Sequence, residues 1–215
     1  MRLVLVSDTH GLHRRMPPVP DGDVLVHAGD LTSYGTLAGV RDAVAWLAAL
    51  PHRHKVCVAG NHDWAFERHP VEAEALVPPG VTYLRDRGAT LGGVRFWGSP
   101  WQPEFNAWAF NLPRGAALAR VWARIPDDVQ VLVTHGPPFG VLDRVDQGSG
   151  FRGTRHVGCE DLARRVAALP DLRVHVFGHV HEGYGMLELG GRRFVNASTT
   201  TVRYEPVNAP VVVDL

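Results

Sequence analysis

The sequence predicts an α/β fold with mixed β-sheets, on three observations. Short β-branched apolar runs recur along the 215 residues, and five of them close on a polar cluster. Ala- and Leu-rich stretches with helical spacing lie between several of these runs. Later apolar runs at 94–97, 192–195 and 210–214 come without a helix for each, which favours mixed sheets over a purely parallel one.

Taken in order, residues 2–6 form an apolar run that leads into Ser7, Asp8, Thr9 and His10, and residues 23–27 lead into Ala28, Gly29 and Asp30. The stretch 37–50 reads as a helix stopped by Pro51. Residues 55–59 lead into Gly60, Asn61, His62 and Asp63. A second helix is predicted over 114–125, closed by Pro126, and a third over 160–169, closed by Pro170. Between and after them, residues 130–134 lead into His135, Gly136, Pro137 and Pro138, and residues 173–177 into Gly178, His179, Val180 and His181. Runs of about five β-branched residues with no polar alternation are those of strands covered on both faces.

Length favours one large domain over residues 1–215, with no internal repeat and no low-complexity tract. The 22 basic and 22 acidic residues cancel, so there is no net field to draw in nucleic acid, and stable nucleic-acid binding is not expected. No stretch approaches the ~20 apolar residues of a membrane span, and the N-terminal run reads as a first strand and not as a leader, so a cytoplasmic location is expected. Cys57 lies inside an apolar run and neither it nor Cys159 forms a CxxC pair, which argues for reduced thiols and against a thiolate metal site. Oligomeric state leaves no trace in the sequence.

In open α/β sheets, ligands bind at the carboxyl ends of strands. Asp8, His10, Asp30, Asn61, His62, His135, His179 and His181 all lie at such ends, so five segments can converge on one site. Carboxylate, imidazole and amide donors without thiolate suit manganese, iron, zinc, nickel or cobalt better than copper(I) or an iron–sulfur cluster. Asp8 and His10, like His179 and His181, are two residues apart and can face the same side of extended backbone. Any one of these motifs could be an ordinary polar strand end; all five in this order, each closing an apolar run, are hard to explain that way.

The order Asp8-x-His10, Gly29-Asp30, Gly60-Asn61-His62-Asp63, His135, Gly178-His179-x-His181 resembles the calcineurin-like metallophosphoesterase superfamily. Further segments are similar to its metallophosphoesterase-domain-containing subfamily, a relative of the class III cyclic-nucleotide phosphodiesterases. These are the run from Leu132 to Pro138, Gly98-Ser99-Pro100-Trp101, Trp108 to Asn111 with Arg114 and Gly115, the run from Gly178 to Gly185, and Asn196-Ala197-Ser198. The resemblance implies a four-layer α-β-β-α sandwich of two mixed sheets flanked by helices. It also implies two divalent cations, manganese foremost, with iron, zinc, nickel, cobalt or magnesium as the other candidates. Asp8, His10, Asp30 and His181 would hold one, and Asp30, Asn61, His135 and His179 the other, with Asp30 as the bridge. Two ions about 3.5–4 Å apart clamp an in-line displacement at phosphorus and ionise a bridging water to hydroxide. The same pattern leaves His62 unliganded over the substrate, as general acid for the leaving oxygen or donor to the phosphoryl group. Asp63, next in the chain, reads either as a residue that orients that ring or as a solvated acid in a turn.

The implied activity is that of a metal-dependent phosphoric ester hydrolase, with small phosphodiesters, cyclic nucleotides among them, as the favoured substrates. A phosphomonoesterase, a protein phosphatase or a nuclease would use the same core motifs, and a non-catalytic scaffold would have no need for them. Trp97, Trp101, Phe105, Trp108 and Phe110 form an aromatic segment that can pack in core and loops or stack a nucleobase, and Trp101 is the one singled out for a substrate pocket. Arg152, with Arg155 and His156 in the Gly-rich stretch 148–158, is the candidate to grip phosphate, against the plainer alternative of a solvated loop. Asn196 reads as a support for the ligands, and His13, His27, His52, His54, His69 and His175 as structural or surface residues.

Overall fold

The computed structural model describes residues 1–146 and 154–215. One sheet has the order β15 (Val211–Asp214), β1 (Arg2–Val6), β2 (Val24–Ala28), β3 (His54–Val58), β4 (Val81–Tyr83). The four strands from β1 to β4 run parallel, and β15 pairs antiparallel to β1 with Leu3 opposite Val213. The second sheet has the order β13 (Gly185–Leu189), β14 (Arg192–Asn196), β12 (Val174–Phe177), β9 (Val131–Thr134), β6 (Val94–Ser99), β5 (Arg87–Leu91). Its four inner strands are parallel and its two outer strands antiparallel. Both sheets are therefore mixed, as the sequence predicts.

Alternation along each strand explains the layers. Leu3, Leu5, Val24, Val26, Val56 and Val58 of one sheet meet Phe96, Val131, Val133, Val174, Val176 and Val195 of the other in a buried core between the sheets. The intervening residues Val4, Val6, Leu25 and Cys57 point outward, under α1 (Leu37–Ala49), α2 (Trp64–Arg68) and α3 (Pro70–Ala75). On the far side Leu132, Phe177 and Phe194 pack against α4 (Ala116–Trp122) and α5 (Glu160–Ala168). The result is a four-layer α-β-β-α sandwich, and it accounts for strands that read as continuous apolar runs: both of their faces are covered.

Helix ends follow local chemistry. Thr36 caps α1 through its hydroxyl, which accepts the Gly39 N–H at 3.1 Å, and Leu50 turns extended ahead of Pro51. The second predicted helix, 114–125, starts only at Ala116, because Gly115 stands at φ 86°, outside helical geometry, with its N–H taken by the Asp161 carboxylate at 3.0 Å; it ends at Trp122, where the Arg124 and Ile125 N–H groups turn back to the Val121 and Trp122 carbonyls at 3.1 Å. Cys159 is the N-cap of α5 and its sulfur accepts the Leu162 N–H, with Glu160 and Asp161 in the first turn where the helix dipole favours acids. Both cysteines are buried and unpaired. Two small ribbons, β7 (Gln102–Pro103) with β8 (Asn111–Leu112) and β10 (Arg144–Asp146) with β11 (Thr154–His156), stand above the sheets. No helix among the described residues is long and apolar enough to cross a membrane.

Because the inner strands of each sheet are parallel, their carboxyl ends share an edge, and the two edges are joined. Ser7 after β1 bridges to Ser198 after β14, and the Thr199 N–H donates to the Ser7 carbonyl at 2.8 Å. The sheets also touch where β6 carries no side chain: a methyl on Gly98 would sit 2.8 Å from Val58 Cγ1 and against Leu84 Cβ. Gly98→Ala should therefore lower stability by ~1–3 kcal/mol through overpacking, read as a lower urea midpoint at an unchanged slope. A midpoint equal to that of the parent would show that the sheets part there without cost.

Candidate active site

The strand ends place the predicted donors in two groups that meet at Asp30. In the first, His181 Nε2 lies 3.5 Å from Asp8 Oδ1 and 3.4 Å from His10 Nε2. In the second, Asn61 Oδ1 lies 2.8 Å from His135 Nε2 and 2.7 Å from His179 Nδ1. Asp30 Oδ2 stands between them, 3.8 Å from His10 Nε2 and 3.4 Å from His135 Nε2. All seven residues predicted as ligands are thus brought together. His62 approaches as well: its ring nitrogen, with those of His10 and a carboxylate oxygen of Asp30, forms a set within 4.8 Å.

Backbone geometry brings these atoms inward at a cost. Asp8, His10, Asp30 and His179 all have left-handed backbone, with φ of 52°, 45°, 55° and 68°. Non-glycine residues in that region cost about 1–3 kcal/mol each and persist where the surroundings over-determine them. The surroundings here are dense. Asp8 N–H donates to the Gly29 carbonyl at 2.9 Å, His10 N–H to the Asp30 carbonyl at 3.0 Å, and Gly178 N–H to the His135 carbonyl at 2.9 Å. Gly178 is required by close approach, since a methyl there would strike the Asp8 carboxylate, and Gly60 likewise, with a methyl 2.7 Å from His135 Cε1.

The remaining polar atoms of the donors are tied back to the fold. His135 Nδ1 faces the Ala28 carbonyl at 3.0 Å and His181 Nδ1 the Thr201 carbonyl at 2.9 Å. A carbonyl only accepts, so Nδ1 carries a proton in both rings and Nε2 is the nitrogen that faces the other donors. Asp8 Oδ2 accepts the Ser198 hydroxyl at 2.8 Å, and both its oxygens accept the His179 N–H at 3.1 Å. Asp30 Oδ1 accepts the His62 N–H at 2.7 Å. Among the described residues the buried carboxylates of Asp8 and Asp30 form ion pairs with histidines alone, and no lysine or arginine neutralises them. Nitrogen and oxygen donors facing one another around two buried carboxylates fit divalent cations, and the fit covers both groups.

Charges on the rings follow. Burial opposes a proton on His135, but Asp30 beside it pushes the imidazole up to about 9. Burial opposes it on His181 too, and Asp8 pushes that ring up to about 9. Burial lowers His10 to about 4 and His179 to about 3, so both are neutral. Burial also disfavours charge on Asp8, yet His181 holds its carboxyl well below the usual range.

His27 and His175, which the sequence marks only as structural or surface residues, turn out to support the donor loops. His27 on β2 bonds to the Thr9 hydroxyl and His175 on β12 to the Thr134 hydroxyl, each at 2.9 Å. Thr9 separates Asp8 from His10 and Thr134 precedes His135, so each imidazole steadies a donor loop; burial lowers both to about 3 and keeps them neutral. Both lie inside a strand, β2 or β12, and belong to no motif that would mark them in the sequence. Asn196, read from the sequence as a support, spans the His179–His181 turn, with Nδ2 donating to the Val180 carbonyl at 2.7 Å.

Three expectations need correction or fall away. Asp63 does not orient the His62 ring: its carboxylate accepts the N–H groups of Gly60, Leu31 and Thr32 and the Thr32 hydroxyl, stitching the β2 and β3 loops together. The ring is held instead by the Ser33 carbonyl, 2.9 Å from Nδ1. Trp101 does not line the cavity; its indole donates to Asp86 at 2.8 Å and packs edge-on against Phe110. Phe105, Trp108 and Tyr204 line it in its place, in a space of about 740 Å³ that also takes in Asp30, Asn61, His62, His179 and His181. Arg152 lies outside the described residues, whereas Arg155 lines the cavity and His156 pairs with Asp143.

Comparison with known proteins places this geometry. The profile of the calcineurin-like phosphoesterases matches residues 1–183. The chain is 42% identical over its full length to metallophosphoesterase domain-containing protein 1 of Homo sapiens, of which it covers 71%, and equally so to the Mus musculus protein of that name. It is 35% identical, over 99% of its length, to a UPF0046 protein of Caenorhabditis elegans, of which it covers 74%.

A cation taken up at these nitrogens must displace the protons that Asp30 and Asp8 hold on His135 and His181. Metal-stripped protein near pH 7 should therefore release about two protons from these rings as the site fills, beyond any from water ionised there, and the ring share fades as pH rises past 9, where both rings are already neutral. Calorimetric titration in buffers of different ionisation enthalpy reads that number. Enthalpies independent of the buffer would contradict the charge assignment.

Proposed function

The chain belongs to the calcineurin-like phosphoesterase family, and from that premise we propose that it hydrolyses small phosphodiesters, cyclic nucleotides among them, with two divalent cations at the Asp30 centre. Asp8, His10, Asp30 and His181 would hold one cation; Asp30, Asn61, His135 and His179 would hold the other. When bound, the cations would supply Lewis acidity toward the phosphoryl oxygens and toward the attacking water.

One observation carries the reading. The donors gathered at Asp30 open into a cavity of about 740 Å³ whose walls continue over Phe105, Trp108 and Tyr204. That space accommodates a second ester substituent beyond the phosphoryl group. Arg114 shares the wall, with its guanidinium engaged by the Val157 and Gly158 carbonyls and by Glu160.

The protein's own contribution to bond cleavage is a proton. His62 Nδ1 donates to the Ser33 carbonyl at 2.9 Å, which leaves Nε2 as the exchanging nitrogen of a half-buried residue on the cavity wall. A protonated Nε2 would deliver its proton to the leaving oxygen as the ester bond breaks. The surrounding fold contributes by holding that ring and the phosphoryl group in fixed relation.

Chelator-stripped protein should recover hydrolysis of bis-p-nitrophenyl phosphate on addition of manganese, and prefer it to p-nitrophenyl phosphate. A preference for the monoester would overturn the diester reading. His62→Ala should still bind two cations. Its turnover should fall by about 10²–10⁴-fold on a ribose 2′,3′-cyclic phosphate, whose alkoxide leaving group needs a proton, and by much less on the p-nitrophenyl diester, whose leaving group does not. Equal turnover of parent and variant on the cyclic phosphate would remove His62 from the chemistry.

A further inference from the structure

Trp108 lies flat against His62, with ring centroids 4.3 Å apart and planes at 28°. Its flanks are anchored to the turn that carries His62 and to α2, which follows that turn. Ala109 N–H donates to the Asn61 carbonyl at 3.1 Å, and Phe110 N–H to the Glu67 carboxylate at 2.7 Å. Gln102 binds the segment from the other side, with its amide donating to the Ala109 carbonyl at 3.0 Å. Ala109 and Phe110 are buried in the core beneath α1 and α2, while Trp108 is half-buried and faces the cavity. The indole is thus presented to the imidazole by a segment that cannot shift without moving Asn61.

The other restraints on the His62 ring are directional but few. Ser33 holds Nδ1, and His10 meets the ring edge-on at 4.6 Å and 80°. A single hydrogen bond at Nδ1 lets an imidazole swing about that contact, and a swing displaces Nε2, the atom that matters. A flat aromatic neighbour at stacking distance blocks it. We propose that Trp108 is a positioning residue for His62, fixing the imidazole plane so that Nε2 addresses the leaving oxygen. The proposal rests on the reading of His62 as proton donor.

The test uses the manganese-loaded full chain and the ribose 2′,3′-cyclic phosphate, with Trp108→Ala and Trp108→Phe made in the parent and in His62→Ala. Bound cations per chain and the thermal midpoint are recorded for every variant. Trp108→Ala should lower kcat on the order of 10- to 100-fold, the scale of a misplaced reacting group, with KM little changed. Trp108→Phe, which keeps a flat ring there, should regain most of the loss. In the His62→Ala background Trp108→Ala should lower kcat no further. An undiminished extra loss in that background, a change confined to KM, or no rescue by Phe would each overturn the positioning role. His62→Ala with full turnover would instead overturn the proton-donor reading itself, so the two failures are told apart.

Discussion

Everything at this site depends on one buried carboxylate. Asp30 lies at the end of β2 with an exposure of 2%, and its two oxygens face three separate loops: the His62 N–H on one side, and His10 and His135 on the other. A carboxylate out of water must be matched by donors or cations, or it drives the chain apart. Matching this one requires loops after β1, β3 and β9 to arrive within about 4 Å of one point, which in turn requires the two sheets to present their carboxyl edges side by side. The Ser7–Ser198 bridge and the Thr199 bond do that. The left-handed backbone at Asp8, His10, Asp30 and His179 is the strain such convergence demands, and the cores between and outside the sheets offset it.

The neighbours of the donors show a division of labour. Carbonyls of Ala28 and Thr201 choose which nitrogen of His135 and His181 faces the centre. Buried neutral imidazoles at His27 and His175 and the amide of Asn196 hold the loops that carry the donors. Asp63, which no local sign separates from an ordinary turn acid, ties the Asp30 and Asn61 loops into one unit through four accepted hydrogen bonds. The proposed chemistry then falls to His62, held by Ser33 at one nitrogen and covered by Trp108 on one face.

Much of this was legible in the chain because two independent signals coincide. A strand buried on both faces must be a continuous apolar run, and a ligand site in an α/β sheet must sit where such a run stops; Asp8, Asp30, Asn61, His135 and His179 satisfy both. The walls of the cavity were legible only as an aromatic segment holding Phe105 and Trp108, not as to which of its rings face inward. Trp101 and Trp108 look alike in sequence, and what separates them is an acid distant in the chain: Asp86 captures the Trp101 indole, while Trp108 meets His62. Tyr204 comes from a turn after the last predicted ligand and reaches His10 only through tertiary folding, with ring centroids 4.9 Å apart. The late start of α4 at Ala116 hinges on Gly115 and on an acid in another helix, again a contact that helical spacing does not record.

The most direct measurement is an anomalous difference map from crystals of the full chain grown with manganese. Two peaks are expected, both within coordination distance, about 2.0–2.2 Å, of the Asp30 carboxylate. One should also contact Asp8, His10 and His181, and the other Asn61, His135 and His179. A single peak, or two peaks that do not share Asp30, would contradict a centre built around that carboxylate.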